Sequence, residues 1–168
     1  MADTRTISLG LAKVEMGEVA ESGMQETLTQ MGYTYKDSFT QTTDEPDITE
    51  YKVEEIDVPM ETEGELGSIV YEWDILNPNV SEMAATAGGT AVAADDQWSS
   101  PDGWTAIEKA FRFTPKKGFI HSIPRASVIA YPTGGFKKGE PGLWHMKATV
   151  LKNTGAAPRI LKRIAANG

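Results

Sequence analysis

Between Ile69 and Ile75 every second side chain is apolar (Ile69, Tyr71, Trp73, Ile75), and two of the three between them are acidic (Glu72, Asp74). That is the period of a strand with one buried face. Ile69, Tyr71, Trp73 and Ile75 are therefore read as core, and Glu72 and Asp74 as an outward face. Directly after this strand, Asn77 offers a side-chain acceptor to the free amides of a first helical turn, and Pro78 fits that turn without losing a needed donor. The pattern predicts a short helix from Pro78, with Val80, Met83, Ala84 and Ala87 as its apolar stripe and Gly88-Gly89 as its stop. Val80 and Met83 join the expected core.

The same reading places a first strand at Ile7, Leu9 and Leu11, and leaves Glu18 to Gly32 mostly as loop, because Gly23, Thr27 and Thr29 interrupt its helical spacing. Tyr33 to Thr42 and Ile48 to Val58 have strand character on either side of the turn cluster Thr43-Asp44-Glu45-Pro46-Asp47. They predict a hairpin with its tip at Thr43–Asp47, part of which stands off the domain. Downstream, Ala91 to Asp102 reads as loop and Trp104 to Phe113 as strand. Pro115-Lys116-Lys117-Gly118 reads as a tight turn, Phe119 to Tyr131 as a strand bent at Pro124, and Leu143 to Leu151 as the last strand. One helix among about seven strands, with no alternation of strand and helix, predicts an all-β fold with a single packed helix, a sandwich or barrel of two antiparallel sheets.

With 168 residues, 40% of them hydrophobic and 24% charged, the chain has the composition of one globular domain spanning 1–168; residues 1–6 and the basic tail 155–168 are expected to be flexible arms. The net charge of −8 argues against a protein that holds nucleic acid by neutralising phosphates. The charge is also unevenly placed. Up to Glu82 there are nineteen acidic and four basic residues, and after it five acidic and twelve basic. Scattered solvated charge is one reading of this asymmetry, and complementary self-associating surfaces the other. There is no cysteine, so thiolate chemistry and disulfides are excluded. No stretch approaches the ~20 apolar residues of a membrane helix, and the polar N-terminus lacks the pattern of a secretory signal. Neither membrane insertion nor export by that route is expected.

Candidate chemistry is sparse. His121 and His145 lie on separate strands, and no metal-binding, phosphate-binding or nucleophile motif is present, so neither enzyme activity nor a cofactor or metal is expected. Glu72 and Asp74 could form a glycosidase pair, but carboxylates two apart on a strand also describe a solvated face. Glu61 to Glu65 could collect a cation, although it lacks the spacing of a calcium loop and reads as a polar turn. Trp98 and Trp104 could form an aromatic sugar platform or simply pack. Asn79-Val80-Ser81 matches the glycosylation pattern, but inside the expected helix.

Three stretches in order carry a family resemblance: Tyr35-Lys36-Asp37-Ser38-Phe39 followed by Asp44 to Glu50, the strand ending Ile-Val-Tyr-Glu-Trp-Asp-Ile, and the helix from Asn77 to Gly88-Gly89-Thr90. Their arrangement, over residues 33 to 150, resembles the tail tube (major tail) proteins of long-tailed bacteriophages, similar in fold to the tube protein of type VI secretion systems. The resemblance implies two packed sheets with a flanking helix. It further implies a homo-oligomer of six-membered rings stacked into a tube, which associates with other tail proteins and passes DNA without specific binding. The protein would then be assembled in the bacterial host cytoplasm and reside in the virion tail. On this reading Glu50, Glu54, Glu72 and Asp74 face the lumen or a neighbouring subunit. Asp44, Glu45, Pro46 and Asp47 form a ring-stacking loop, and Lys116, Lys117, Lys137 and Lys138 are basic turns complementary to it. Two other functions remain open: a carbohydrate-binding β-sandwich, and a tail terminator or accessory ring.

Overall fold

In the computed structural model, which describes residues 5–165, the chain is mostly β with one short helix. The strands are β1 (Leu9–Gly17), β2 (Thr29–Gln30), β3 (Thr40–Thr43), β4 (Asp47–Val53), β5 (Ile56–Glu65) and β6 (Ile69–Ile75). After the helix α1 (Val80–Ala87) come β7 (Thr90–Val92), β8 (Gln97–Ser99), β9 (Ile107–Lys117), β10 (Phe119–Thr133), β11 (Leu143–Val150) and β12 (Ile160–Arg163). Eight of them form one antiparallel sheet in the order β2-β1-β9-β10-β11-β6-β3, with β12 on β10, while β4–β5 and β7–β8 are separate two-stranded sheets. No barrel closes.

The main sheet curls until its flanks face one another. Tyr71 on β6 stacks on Phe113 of β9 with ring centroids 4.7 Å apart, although β10 and β11 lie between those strands in the sheet. Phe39 reaches both flanks, with its ring 5.8 Å from Trp73 and 5.1 Å from Phe113. The curl is set in β10, where buried Pro124 cannot donate to a ladder and the register with β9 shifts between Ile123 and Ala126. Before this bend β10 pairs with β12, and after it with β11. Tyr71, Trp73, Ile75, Phe111, Phe113, Trp144 and Met146 are buried inside the curl, and Ile69 and Met83 pack against them. Val80 is half-buried at the start of α1 and lies outside this cluster.

Four local expectations are corrected. The cap of α1 is Asn79, whose Oδ1 accepts from Glu82 N at 2.9 Å, so the helix starts at Val80 instead of Pro78. Asn77 serves another bond, accepting from Tyr33 N at 2.6 Å. The loop after the helix contains the β7–β8 hairpin, and the indole of Trp98 donates to the Gly88 carbonyl at 2.9 Å. Pro115 to Lys117 are not a turn, because β9 continues through them in register with Leu9–Leu11; only Gly118, at φ 114°, turns the chain. In the expected flexible tail, Ile160–Arg163 form β12 on β10; residues 1–4 and 166–168 of the two arms lie outside the described residues.

The largest correction concerns the hairpin. β3 pairs with β6, not with β4, and β4 pairs with β5 around the tip Glu54–Glu55. Asp44 to Asp47 are the hairpin's base. Asp44 N donates to the Ser68 carbonyl at 2.9 Å, Ser68 Oγ donates to Asp44 Oδ2 at 2.5 Å, and Asp47 pairs with Glu65. Gly67 permits this close approach, since a Cβ there would lie 2.2 Å from the Asp44 carbonyl oxygen. The Glu61–Glu65 stretch read as a polar turn is the second half of β5.

Candidate functional site

The β4–β5 ribbon is the most exposed part of the structure: of its strand residues only Pro59 is even half-buried. Its register sorts the side chains onto two unlike faces, because directly paired residues share a side and neighbours along a strand alternate. Ile48 pairs with Gly64, Glu50 with Thr62 and, past an irregularity, Val53 with Ile56. Ile48 therefore shares a side with Glu50, Thr62 and Gly64, to which alternation along β5 adds Met60, Val58 and Ile56, with Val53 beside Ile56 past the irregularity. The other face has the pairs Asp47–Glu65, Thr49–Glu63 and Tyr51–Glu61, to which alternation adds Asp57. Tyr51 OH donates to Glu63 Oε2 at 3.2 Å along that face. Ile48, Val58 and Met60 are 66%, 64% and 66% exposed. Apolar side chains this open are uncommon on the free ribbon of a single folded chain. From Asp47 to Glu65 there are eight carboxylates and one lysine, Lys52, which pairs with Glu50 at 3.3 Å.

Glu72 and Asp74 sit elsewhere, on the outer side of the curl, and both have basic neighbours across β11. His145 Nδ1 lies 2.7 Å from Asp74 Oδ1, and Lys147 Nζ 3.9 Å from Glu72 Oε1. The ring of Tyr131 flanks His145 at 5.1 Å, completing a row across three strands. The structure thus does not gather the four expected lumen carboxylates. Glu50 and Glu54 belong to the ribbon, with Glu54 at its tip, and Glu72 and Asp74 to the body.

A cleft of about 710 Å³ opens along the mouth of the curl, where the flanks β1 and β3 do not meet. At the other end, residues 29–35 lace the flanks together. Met31 N donates to the Val14 carbonyl, and Leu76 N to that of Tyr33. The cleft is walled by Leu11, Tyr33, Tyr35, Phe39 and Phe119, and carries Lys13, Lys36 and Lys116 beside the single carboxylate of Asp37. Lys13 is engaged by Glu15 at 3.2 Å; Lys36 and Lys116 form no ion pair among the described residues. Deeper in, Tyr71 OH lies 2.8 Å from His121 Nδ1. Burial raises the Tyr71 hydroxyl pKa, against the nearby Arg159 guanidinium. The His121 pKa is lowered by burial first and by the charge of Arg159 second. Arg159 also donates to Thr43 Oγ1 at 3.3 Å, fastening the segment before β12 to the end of β3.

The four expected basic turns divide. Lys116 and Lys117 end β9, with Lys116 at the cleft, whereas Lys137 and Lys138 lie in the β10–β11 loop. Of the two tryptophans proposed as a platform, Trp98 packs edge-on against Trp144 at 5.1 Å, and Trp104 stands alone, 79% exposed. Among the described residues no three His, Asp or Glu side chains gather as metal ligands, and no helix is long and apolar enough to cross a membrane. Sequence reasoning missed the two-faced ribbon, although the signal was present: from Ile56 to Glu65 the side chains alternate Ile-Asp-Val-Pro-Met-Glu-Thr-Glu-Gly-Glu. Compared with known proteins, the chain matches no family model and no curated protein sequence.

Proposed function

We propose that this chain is the structural subunit of a bacteriophage tail tube, self-assembling into hexameric rings that stack into a conduit for DNA. The observation that carries the reading is the β4–β5 ribbon, an extended arm with an open apolar row and a dense carboxylate face. Such an arm gains nothing for an isolated subunit and is suited to reaching a neighbour. The curled sheet is compatible with the reading: it is one eight-stranded sheet, not the two sheets the resemblance implies, and in a tube its facing flanks would take the place of the two layers, with α1 alongside. In a tube the acidic face of the ribbon would line the passage, where like charge keeps phosphates from adhering. The protein would then belong to the virion tail, assembled in the host cytoplasm among other tail proteins.

Negative-stain microscopy of the concentrated protein tests this directly. Long tubes of stacked rings are the expected result. Isolated rings that never stack would favour a terminator or accessory ring, and monomers at every concentration would overturn both. The carbohydrate-binding alternative draws less support from the geometry, because Trp98 is packed and leaves Trp104 without a second ring for a platform. A glycan-dependent change in Trp104 fluorescence would revive it.

A further inference from the structure

The ribbon and the cleft match one another in chemistry. One is a free apolar row set among carboxylates; the other is a trough of aromatic and aliphatic walls with Lys36 and Lys116 at its side. The cleft is also bounded by backbone that no other described strand pairs with. Among the described residues, the Leu9–Lys13 stretch of β1 pairs only with β9, since β2 reaches just Glu15 and Met16, and β3 pairs only with β6. We infer that the cleft receives the apolar face of the β4–β5 ribbon of a second copy of this chain, with the tip carboxylates Glu54 and Glu55 meeting Lys36 and Lys116. This deepens the self-association proposed above and rests on it.

The chain's own ribbon is poorly placed for the task. It prolongs the β3–β6 ladder past Thr43, and its base is tied by the two Asp44–Ser68 bonds. The cleft lies alongside residues 30–41 on the near side of that base. To enter it, the ribbon would have to reverse at Asp44–Pro46 and break those bonds. A copy that donates its ribbon and accepts another through a different surface makes a head-to-tail contact. Such contacts close into rings when the rotation between copies permits, and run on as filaments when it does not.

Because the chain has no cysteine, an engineered disulfide can be read without background. Val58→Cys marks the apolar row of the ribbon and Tyr33→Cys the cleft wall; both positions are exposed, so neither change disturbs the core. Mixed at concentrations where the protein self-associates and treated with a mild oxidant, the two variants should give a disulfide-linked dimer several-fold in excess of either variant alone. Lys36→Glu with Lys116→Glu in the Tyr33→Cys chain should cut that yield. In the unmodified protein, hydrogen exchange of the amides at 10–13, 56–58 and 60 should slow together as concentration rises. Mixed linkage no greater than that of the single variants, or exchange at these segments indifferent to concentration, overturns the inference. So does a Tyr33→Cys/Val58→Cys double variant that links within one chain at high dilution. Tubes without the mixed linkage would leave the proposed function standing and remove this docking site. Linkage without tubes would keep the site and remove the tube.

Discussion

Asn77 and Asn79 are two residues apart and chemically identical, yet they do different work. Asn79 satisfies a free amide at the start of α1, while the Glu82 carboxylate accepts from Gly32 N at 3.0 Å; burial raises the Glu82 pKa, against the backbone donors near it. Asn79→Ala should destabilise the protein by ~1 kcal/mol in urea unfolding. Asn77→Ala should also cost, but through the lost bond to Tyr33 N that holds the lacing segment, so slower hydrogen exchange at Tyr33 in that variant would contradict the assignment. The Asn-x-x-Glu spacing of the true cap was legible in the sequence; Pro78 drew the start two residues early because it also suits a first turn. Other residue roles were not legible at all. His121 and Tyr71 lie fifty positions apart, and only the curl brings them to 2.8 Å. The folded pKa of His121 is lowered below the ordinary 6.5, so the unfolded chain takes up its proton first as pH falls. Stability should therefore decline as pH drops through about 6.5 and level off below the folded value. In His121→Gln the melting temperature should be flatter across that window, and an unchanged pH profile would place the loss in other groups.

At the scale of elements, the strands that could be read were those whose alternation is enforced by the core. Tyr71, Trp73 and Ile75 in β6 are buried with the expected phase, and in β11 Trp144, Met146 and Ala148 are buried at alternate positions. Trp73 touches Phe39, Phe111 and Phe113, so Trp73→Ala should cost ~3–5 kcal/mol in urea unfolding as a core truncation. Pairing partners were not legible, because alternation says which way a side chain points and nothing about which strand lies alongside. The β4–β5 turn at Glu54–Glu55 carries no glycine or asparagine, so its position had no local signal, while Thr43–Asp47, rich in turn formers, is a joint between two ladders. Among the described residues the β4–β5 sheet also pairs with nothing but itself. Replacing Asp47–Glu65 by a short Gly/Ser connection should thus leave the melting temperature within a degree or two, against the large loss in Trp73→Ala. A collapse of stability on removing the ribbon would mean that it packs on the body.

For the whole molecule the decisive quantity is where charge resides. Between Asp47 and Glu65, eight carboxylates face one lysine, an excess of seven in a chain whose net charge is −8. The body is near neutral by comparison, and its acidic pair Glu72 and Asp74 is answered by Lys147 and His145. Reversing those two residues would set a lysine against Lys147 and take the carboxylate away from His145, so it tests folding more than passage of DNA. The ribbon's outer face is the cleaner probe, since Glu61, Glu63 and Glu65 are exposed and lie opposite the apolar row. Glu61→Lys, Glu63→Lys and Glu65→Lys together should leave the subunit folded, with the same melting temperature to within a few degrees. Assembled tubes of this variant should bind DNA at low salt and release it as salt rises, because phosphate contacts are lost with counterion competition. Screening acts over ~8 Å at physiological ionic strength, so retention should weaken steeply between low and physiological salt. Tubes of the variant that ignore DNA at every ionic strength would put this face on the outside of the assembly, and the passage would have to be lined by the body of the subunit.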